Sequence, residues 1–386
     1  MNSNVAFFIR HFTERGTEVS TYQYALYNQE ILKNKSIIVA FNKINVKEGI
    51  SFDNSSKTLF TDKFKVIEIQ DISEMKEIIL KEKISHVYIQ SHGCHKDYYQ
   101  LNSRHIWGNC ITTYHYVFGP MLRQGSKVRC VIGEHLNQRF NKKIKVLPYI
   151  VEKLENHGDI RKELNIPKDG IVFGRHGGVS TFDIKFVHDS IKKVLKKKSN
   201  IYFIFLNTEK FYSHKNIIYL PKTFDRKVKS KFINSCDAMI HARRDGETFG
   251  LAVAEFSSLN KPIITFAKSI DKEHLNILGN KAIKYSNENE LKDIFLNFEN
   301  KYNLNKNWNC YKRFQPQKFI KEFEKICLKP KKKNLQESFI EIIYDLPWEI
   351  YIPIKSLYQL IFFSIIKSLP NPIKLIIKFL IKKIYP

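Results

Sequence analysis

His241-Ala-Arg-Arg-Asp-Gly-Glu-Thr-Phe-Gly-Leu-Ala-Val-Ala-Glu255 is the stretch from which the rest of the chain can be read. The apolar run Ala238–Ala242 leads into it, and the helix-forming run Leu251–Leu259 leads out. The order is strand, glycine-containing loop, helix N-terminus. Gly246 and Gly250 allow the backbone to come close to a ligand. The amides of Phe249, Gly250 and Leu251 open the helix and have no carbonyl partner within it, which suits a phosphate or a sugar hydroxyl. Glu247 falls in the loop, where its carboxylate can accept from sugar hydroxyls. Glu255 falls in the first helical turns, where it can accept from ribose hydroxyls. Arg243 and Thr248 border the same loop.

Outward from this stretch the chain alternates strands and helices. Ile171–Gly174, Ile201–Leu206, Asn216–Leu220, Ala238–Ala242 and Pro262–Phe266 read as strands. Phe182–Lys197, Arg226–Asn234 and Leu251–Leu259 read as helices between them. An earlier series has the same form. Val5–Ile9, Ser36–Phe41, Lys65–Ile69, His86–Gln90, Ile111–Phe118 and Lys127–Ile132 read as strands, and Met75–Lys81 as a helix. A helix from near Thr17 sets Val19, Tyr22 and Leu26 on one face. The expectation is two α/β domains, 1–150 and 151–328, with turns at Asn156–Gly158 and Pro167–Gly170 near their junction, and a ligand cleft at the carboxyl ends of both sheets. Gln315–Cys327 reads as the closing helix of this body.

A second loop lies in Val172-Phe-Gly-Arg-His-Gly-Gly178. A strand ends at Gly174-Arg175, and the Arg175 guanidinium can bond a diphosphate in bidentate fashion.

On these residues the chain resembles the family 4 retaining glycosyltransferases of the GT-B fold. Their signature is two glutamates with seven residues between them, enclosing Phe-Gly-Leu, matched here by Glu247, Phe249-Gly250-Leu251 and Glu255. The resemblance implies a GT-B α/β fold: two Rossmann-like, doubly wound domains with a cleft between them. It implies donor contacts from Gly174, Arg175, Arg243, Thr248, Phe249, Gly250, Leu251 and Glu255, with Glu247 on the sugar. The family's phosphate lysine about five residues beyond the arginine is absent, since Ser180 stands near that place; Lys185, Arg243 or Arg244 would substitute. Gly16, in Thr13-Glu-Arg-Gly-Thr-Glu18, matches the family's N-terminal glycine loop, although a tight β–α turn explains a glycine there too. A histidine in a strand is either a core residue or a site residue, and the resemblance implies that His115 faces the donor sugar; His92 is a second candidate. Leu220–Phe224 matches the stretch that touches the base through its backbone. The likeness covers roughly 4–328, and implies a metal-independent transfer with retention.

Composition narrows the partners. The 386 residues carry 64 Lys+Arg against 38 Asp+Glu, a net charge of +26. Such a charge suits nucleoside diphosphates or an anionic lipid surface. No nucleic acid is expected, because the chain has no zinc-finger spacing, no RNP-like aromatic motif and no basic helix with heptads. The six cysteines form no C-x-x-C pair, and no secretory signal or membrane-spanning run is present, so the expectation is a reduced, cytoplasmic protein. After Lys329-Pro-Lys-Lys-Lys333, the segment 329–386 reads as a basic helical tail. Lys374, Lys378 and Lys382 form a stripe on an otherwise apolar helix, so 356–384 suits either an in-plane anchor on an anionic membrane or packing on the enzyme. The acceptor is expected to be a glycan or a lipid-linked molecule. Three rivals make different predictions: a non-catalytic scaffold binds no nucleotide, a nucleic-acid-binding protein shows salt-sensitive binding, and a sugar-nucleotide epimerase needs no acceptor.

Overall fold

Continuous apolar runs, buried on both faces, make parallel strands. In the computed structural model they build two sheets. The structure describes residues 3–13, 15–42, 54–91, 104–119, 127–140, 144–223 and 225–331. His92, Phe224 and the segment 332–386, with its expected membrane helix, lie outside these residues.

The first half supplies β1 (Asn4–Ile9), β2 (Lys35–Phe41), β3 (Lys65–Ile69), β4 (His86–Ser91), β5 (Ile111–Tyr116), β6 (Val128–Val131) and β7 (Lys145–Val146). They line up as β3-β2-β1-β4-β5-β6-β7, all parallel. The second half supplies β8 (Ile171–His176), β9 (Ile201–Leu206), β10 (Ile217–Leu220), β11 (Ala238–His241), β12 (Gly246–Glu247), β13 (Ile263–Phe266), β14 (Asp271–Lys272) and β15 (Ile283–Tyr285). Six of these form a parallel sheet ordered β10-β9-β8-β11-β13-β15, and β12 pairs only with β14. Both sheets therefore have the doubly wound Rossmann order. Each reverses beside its first strand, between β1 and β4 and between β8 and β11, and such reversals open a ligand crevice at the carboxyl ends of the strands.

The helices follow in chain order. The first half has α1 (Gly16–Glu30), α2 (Lys57–Thr61), α3 (Met75–Lys81), α4 (Arg104–Trp107) and α5 (Glu134–Arg139). The second has α6 (Lys185–Leu195), α7 (Arg226–Asn234), α8 (Leu251–Ser258), α9 (Glu273–Leu278), α10 (Glu288–Leu296), α11 (Phe298–Lys301) and α12 (Pro316–Phe323), which runs on into a π-turn, Glu324–Leu328. No helix among the described residues is long and apolar enough to cross a membrane.

Three departures from the sequence reading have physical causes. The expected inward face of α1, Val19, Tyr22 and Leu26, is only half-buried, while Ser20, Thr21, Tyr24, Ala25 and Asn28 are buried. Two of these buried polar groups are satisfied nearby: Thr21 Oγ1 donates to Thr17 O at 2.8 Å, and Asn28 Nδ2 to Ser36 Oγ at 2.9 Å. Next, α12 does not close the second sheet. Phe323 lies 5.9 Å from the Phe7 ring, 5.1 Å from Tyr24 and 5.3 Å from Tyr88, and so completes the core of the first domain. The chain crosses back after the second sheet is built, and residues 316–328 belong by packing to the first domain. Lastly, β8 continues two residues past Gly174, to His176.

That extension changes the meaning of two glycines. Gly174 is a strand residue, and a Cβ there would stand 2.2 Å from Cys236 Sγ and 3.1 Å from Phe256 Cζ. It keeps a gap for the neighbouring core, within the strand rather than in the loop that follows it. Gly246 has φ 73°, and a Cβ would meet Asp271 O at 2.0 Å, so the β12–β14 pairing by itself requires a glycine there. Overpacking of this kind typically costs about 1–3 kcal/mol. Gly174→Ala should lower stability by that amount in denaturant unfolding. In a Cys236→Ala background, where the clashing sulfur is gone, the same substitution should cost clearly less.

Candidate functional site

The crevice of the second sheet is built by β8 and β11, which end at His176 and His241. Both histidines are buried, and each faces a carboxylate of the 247–255 stretch. His176 Nε2 lies 2.9 Å from Glu255 Oε2, and Lys229 Nζ of α7 donates to Glu255 Oε1 at 2.9 Å. His241 Nε2 lies 3.3 Å from Glu247 Oε1, and Arg243 Nη1 donates to Glu247 Oε2 at 3.1 Å. Each glutamate thus has one histidine and one cation of its own.

The electrostatics follow from this pairing. Burial alone would raise both carboxyl pKa values. For Glu247 the His241 hydrogen bond and the Arg243 charge outweigh burial and bring it to about 2. For Glu255 the charges of Lys229 and His176 do the same, again to about 2. Both are ionised at neutral pH. Their side chains remain 22% and 20% exposed, so each keeps an open edge for a ligand.

The loop between them is held from behind. Phe249 is buried, with ring centroids 5.5 Å from Tyr149, 5.5 Å from Tyr311 and 5.1 Å from Phe314. Its carbonyl accepts from Tyr311 Oη at 2.8 Å. Phe249 is an anchor beneath the loop, and Thr248 is buried beside it. Gly250 adopts φ 86° as the N-cap of α8, and no side chain caps that helix. Among the described residues, no side-chain acceptor caps the amides that open α8.

The first domain comes up to this loop at α1. A Cβ on Gly16 would lie 3.4 Å from Leu251 Cδ1 and 3.8 Å from Tyr149 Cε2. The structure thus brings together Gly16, Glu247, Gly250, Leu251 and Glu255. A second seam closes nearby: Arg139 Nη1 donates to Asp271 Oδ1 at 2.7 Å, and the His135 amide donates to Glu273 Oε2 at 2.8 Å.

Three expected site residues lie elsewhere or point elsewhere. Arg175 is 3% exposed rather than open to a diphosphate. Its Nη1 donates to Asn207 O at 3.1 Å and Thr208 Oγ1 at 2.5 Å; its Nη2 donates to Gly178 O at 2.7 Å and Thr181 Oγ1 at 2.6 Å. It braces the loops after β8 and β9 to each other. Burial lowers its pKa to about 10, which leaves it charged. His115 is fully buried, with Tyr88 Oη 2.6 Å from its Nδ1 and the rings of Tyr24 and Tyr149 around it. Burial drops its pKa to about 3, so it is a neutral histidine held among aromatic side chains. Lys185 is exposed at the start of α6 and pairs with neither glutamate. The cation that does meet Glu255 is Lys229, and the sequence reading passed over it, as it did His176 and His241. Both histidines end a central strand next to a motif residue, which was a usable signal. Lys229 gave none, because its contact spans α7 and α8.

No protein-family model and no curated protein matches this sequence. Solved structures do match its fold. A glycosyltransferase from Rickettsia africae is 16% identical, with a TM-score of 0.62 over 86% of this chain and 100% of that one. HepE of Anabaena, in complex with UDP and glucose, is 11% identical, with a TM-score of 0.59 over 83% of this chain and 97% of that one. Sucrose-phosphate synthase from Thermosynechococcus elongatus is 9% identical, with a TM-score of 0.56 over 94% of this chain and 100% of that one. At these identities the likeness shows the fold, and the fold is GT-B.

The depressed carboxyl values set an acid limit. A carboxyl whose folded pKa is about 2, against 4.5 when free, adds stability fully above about pH 4.5 and loses it as pH falls toward 2. Unfolding titrations of the wild type should show that loss within this window. Glu255→Gln should flatten the slope there, and an unchanged slope would mean that the pairing seen here contributes nothing.

Proposed function

We propose that this chain is a retaining glycosyltransferase that takes a hexose from a nucleoside-diphosphate sugar. The observation that carries the reading is the pair of ionised glutamates at the crevice of the second sheet, one on each side of an uncapped helix start. In this reading Glu255 accepts from the ribose hydroxyls, and Glu247 accepts from hydroxyls of the transferred sugar. The α8 amides face the diphosphate, where oriented backbone dipoles stabilise the charge that grows on the leaving group. Arg175 adds positive charge behind that point and holds the loops rigid. The bond from the anomeric carbon to the diphosphate oxygen breaks, the acceptor hydroxyl oxygen forms its bond on the same face, and the acceptor's proton passes to the departing diphosphate oxygen. No metal is needed, since the nucleotide's charge is met by amides and cations. The first domain, with Gly16 at its edge, holds the acceptor, a glycan or a lipid-linked molecule. Residues 356–384 hold the enzyme on an anionic cytoplasmic membrane surface.

HepE was solved with UDP and glucose, which makes UDP the first nucleotide to try. A second reading, a non-catalytic scaffold, draws on one observation: all four hydrogen bonds made by the Arg175 guanidinium go to the protein's own loops. One experiment separates the two. UDP-, GDP- and ADP-sugars are added to wild type and to Glu255→Ala, with thermal stabilisation and slow donor hydrolysis followed in the presence and absence of EDTA. One nucleotide class should stabilise the wild type, EDTA should change nothing, and Glu255→Ala should weaken binding by about tenfold or more, as expected for a lost bond to a charged group. No shift with any nucleotide at millimolar concentration would favour the scaffold. An absolute metal requirement would overturn the metal-independent mechanism.

A further inference from the structure

Behind Glu247 lies a buried hydrogen-bond chain that none of the roles above uses. His241 ends β11 and sits opposite Thr265 of β13 in the sheet register. Thr265 Oγ1 is 3.0 Å from His241 Nδ1 and 3.1 Å from Nε2 of His274, on α9. Both Thr265 and His274 are fully buried. The His241 and His274 rings lie 4.8 Å apart. Tyr285 Oη donates to His241 O at 3.0 Å and fixes the backbone at that point.

We propose that Thr265 and His274 are positioning residues for Glu247, acting through His241. The inference rests on the reading of Glu247 as the sugar contact. Its logic is proton bookkeeping along the chain. An ionised carboxylate only accepts, so the proton of the 3.3 Å contact between His241 Nε2 and Glu247 Oε1 sits on Nε2. In the neutral His241 ring Nδ1 is then an acceptor, and the one hydroxyl hydrogen of Thr265 goes to it. Thr265 Oγ1 in turn accepts from His274 Nε2–H, in a ring that burial holds neutral, with a pKa of about 3. With Arg243 on Oε2, both carboxylate oxygens are tied from the protein side. The remaining lone pairs are aimed at the open edge, where the sugar would bind. Without the hydroxyl, His241 is free to take the other tautomer, whose bare Nε2 would face the carboxylate and turn it away.

The test uses the full chain and the variants Thr265→Val, Thr265→Ser and His274→Leu. Affinity is measured for UDP-glucose and, separately, for UDP, with any preferred base from the panel above substituted. Thr265→Val keeps the shape and removes the relay. It should weaken the nucleotide sugar by about tenfold, the size of one lost hydrogen bond to a charge, and leave the free nucleotide unchanged. His274→Leu should act in the same direction, and Thr265→Ser should restore the wild-type value. Imidazole nitrogen shifts by NMR should show His241 protonated on Nε2 in the wild type and redistributed in Thr265→Val. Equal loss of both ligands, or an unchanged His241 tautomer in Thr265→Val, would overturn the proposal. If the wild type binds neither ligand, the transferase reading fails on its own, and the tautomer measurement still decides whether the chain orients His241.

Discussion

Two carboxylates eight residues apart at the mouth of one crevice must each be neutralised, or the site would not stay ionised and folded. Burial of an unpaired charge costs several kcal/mol, so unpaired carboxyls there would protonate instead. The molecule meets this constraint twice in the same way. Glu255 takes His176 and Lys229; Glu247 takes His241 and Arg243. Each histidine comes from the end of a central strand beside the reversal of strand order. The doubly wound topology thus fixes the spacing of the two imidazoles, and the imidazoles fix the spacing of the two glutamates. The loop between them is free to carry glycine and the uncapped helix start because Phe249 anchors it from below.

The second consequence concerns the two domains. Gly16, Leu251 and Tyr149 meet at the cleft, while α12 runs back to stack Phe323 on Phe7, Tyr24 and Tyr88. The domains are therefore joined both at the site and at its rear. Aromatic packing at the back and ion pairs at the Arg139–Asp271 seam hold them in one arrangement. Apolar contacts are indifferent to geometry within limits, whereas the charged seam is directional.

Much of the scaffold was legible in the chain. The apolar run Ile201–Leu206 became a buried central strand with the boundaries expected, and Lys65–Ile69, with charged residues at its exposed positions, became an edge strand. The helix face of α1 was misread, since small and polar residues can be the buried ones when the backbone satisfies them. Gly174 and Gly246 also have packing roles that the chain does not display. A glycine that leaves room for Cys236 looks the same in sequence as one that leaves room for a phosphate.

The sequence by itself determined the two α/β halves, the loop-to-helix junction at 246–251 and the eight-residue step between Glu247 and Glu255, because these depend on local periodicity and on neighbours along the chain. Only the tertiary structure decided which side chains face those glutamates. Lys229, His176 and the Thr265–His274 chain come from separate elements, and their meeting depends on strand order and helix docking. It also decided that Arg175 turns inward to the loops and that His115 is sealed among tyrosines. Spacing along the chain sets which face of its own element a side chain leaves from, but the partner it meets there is set by how the elements dock.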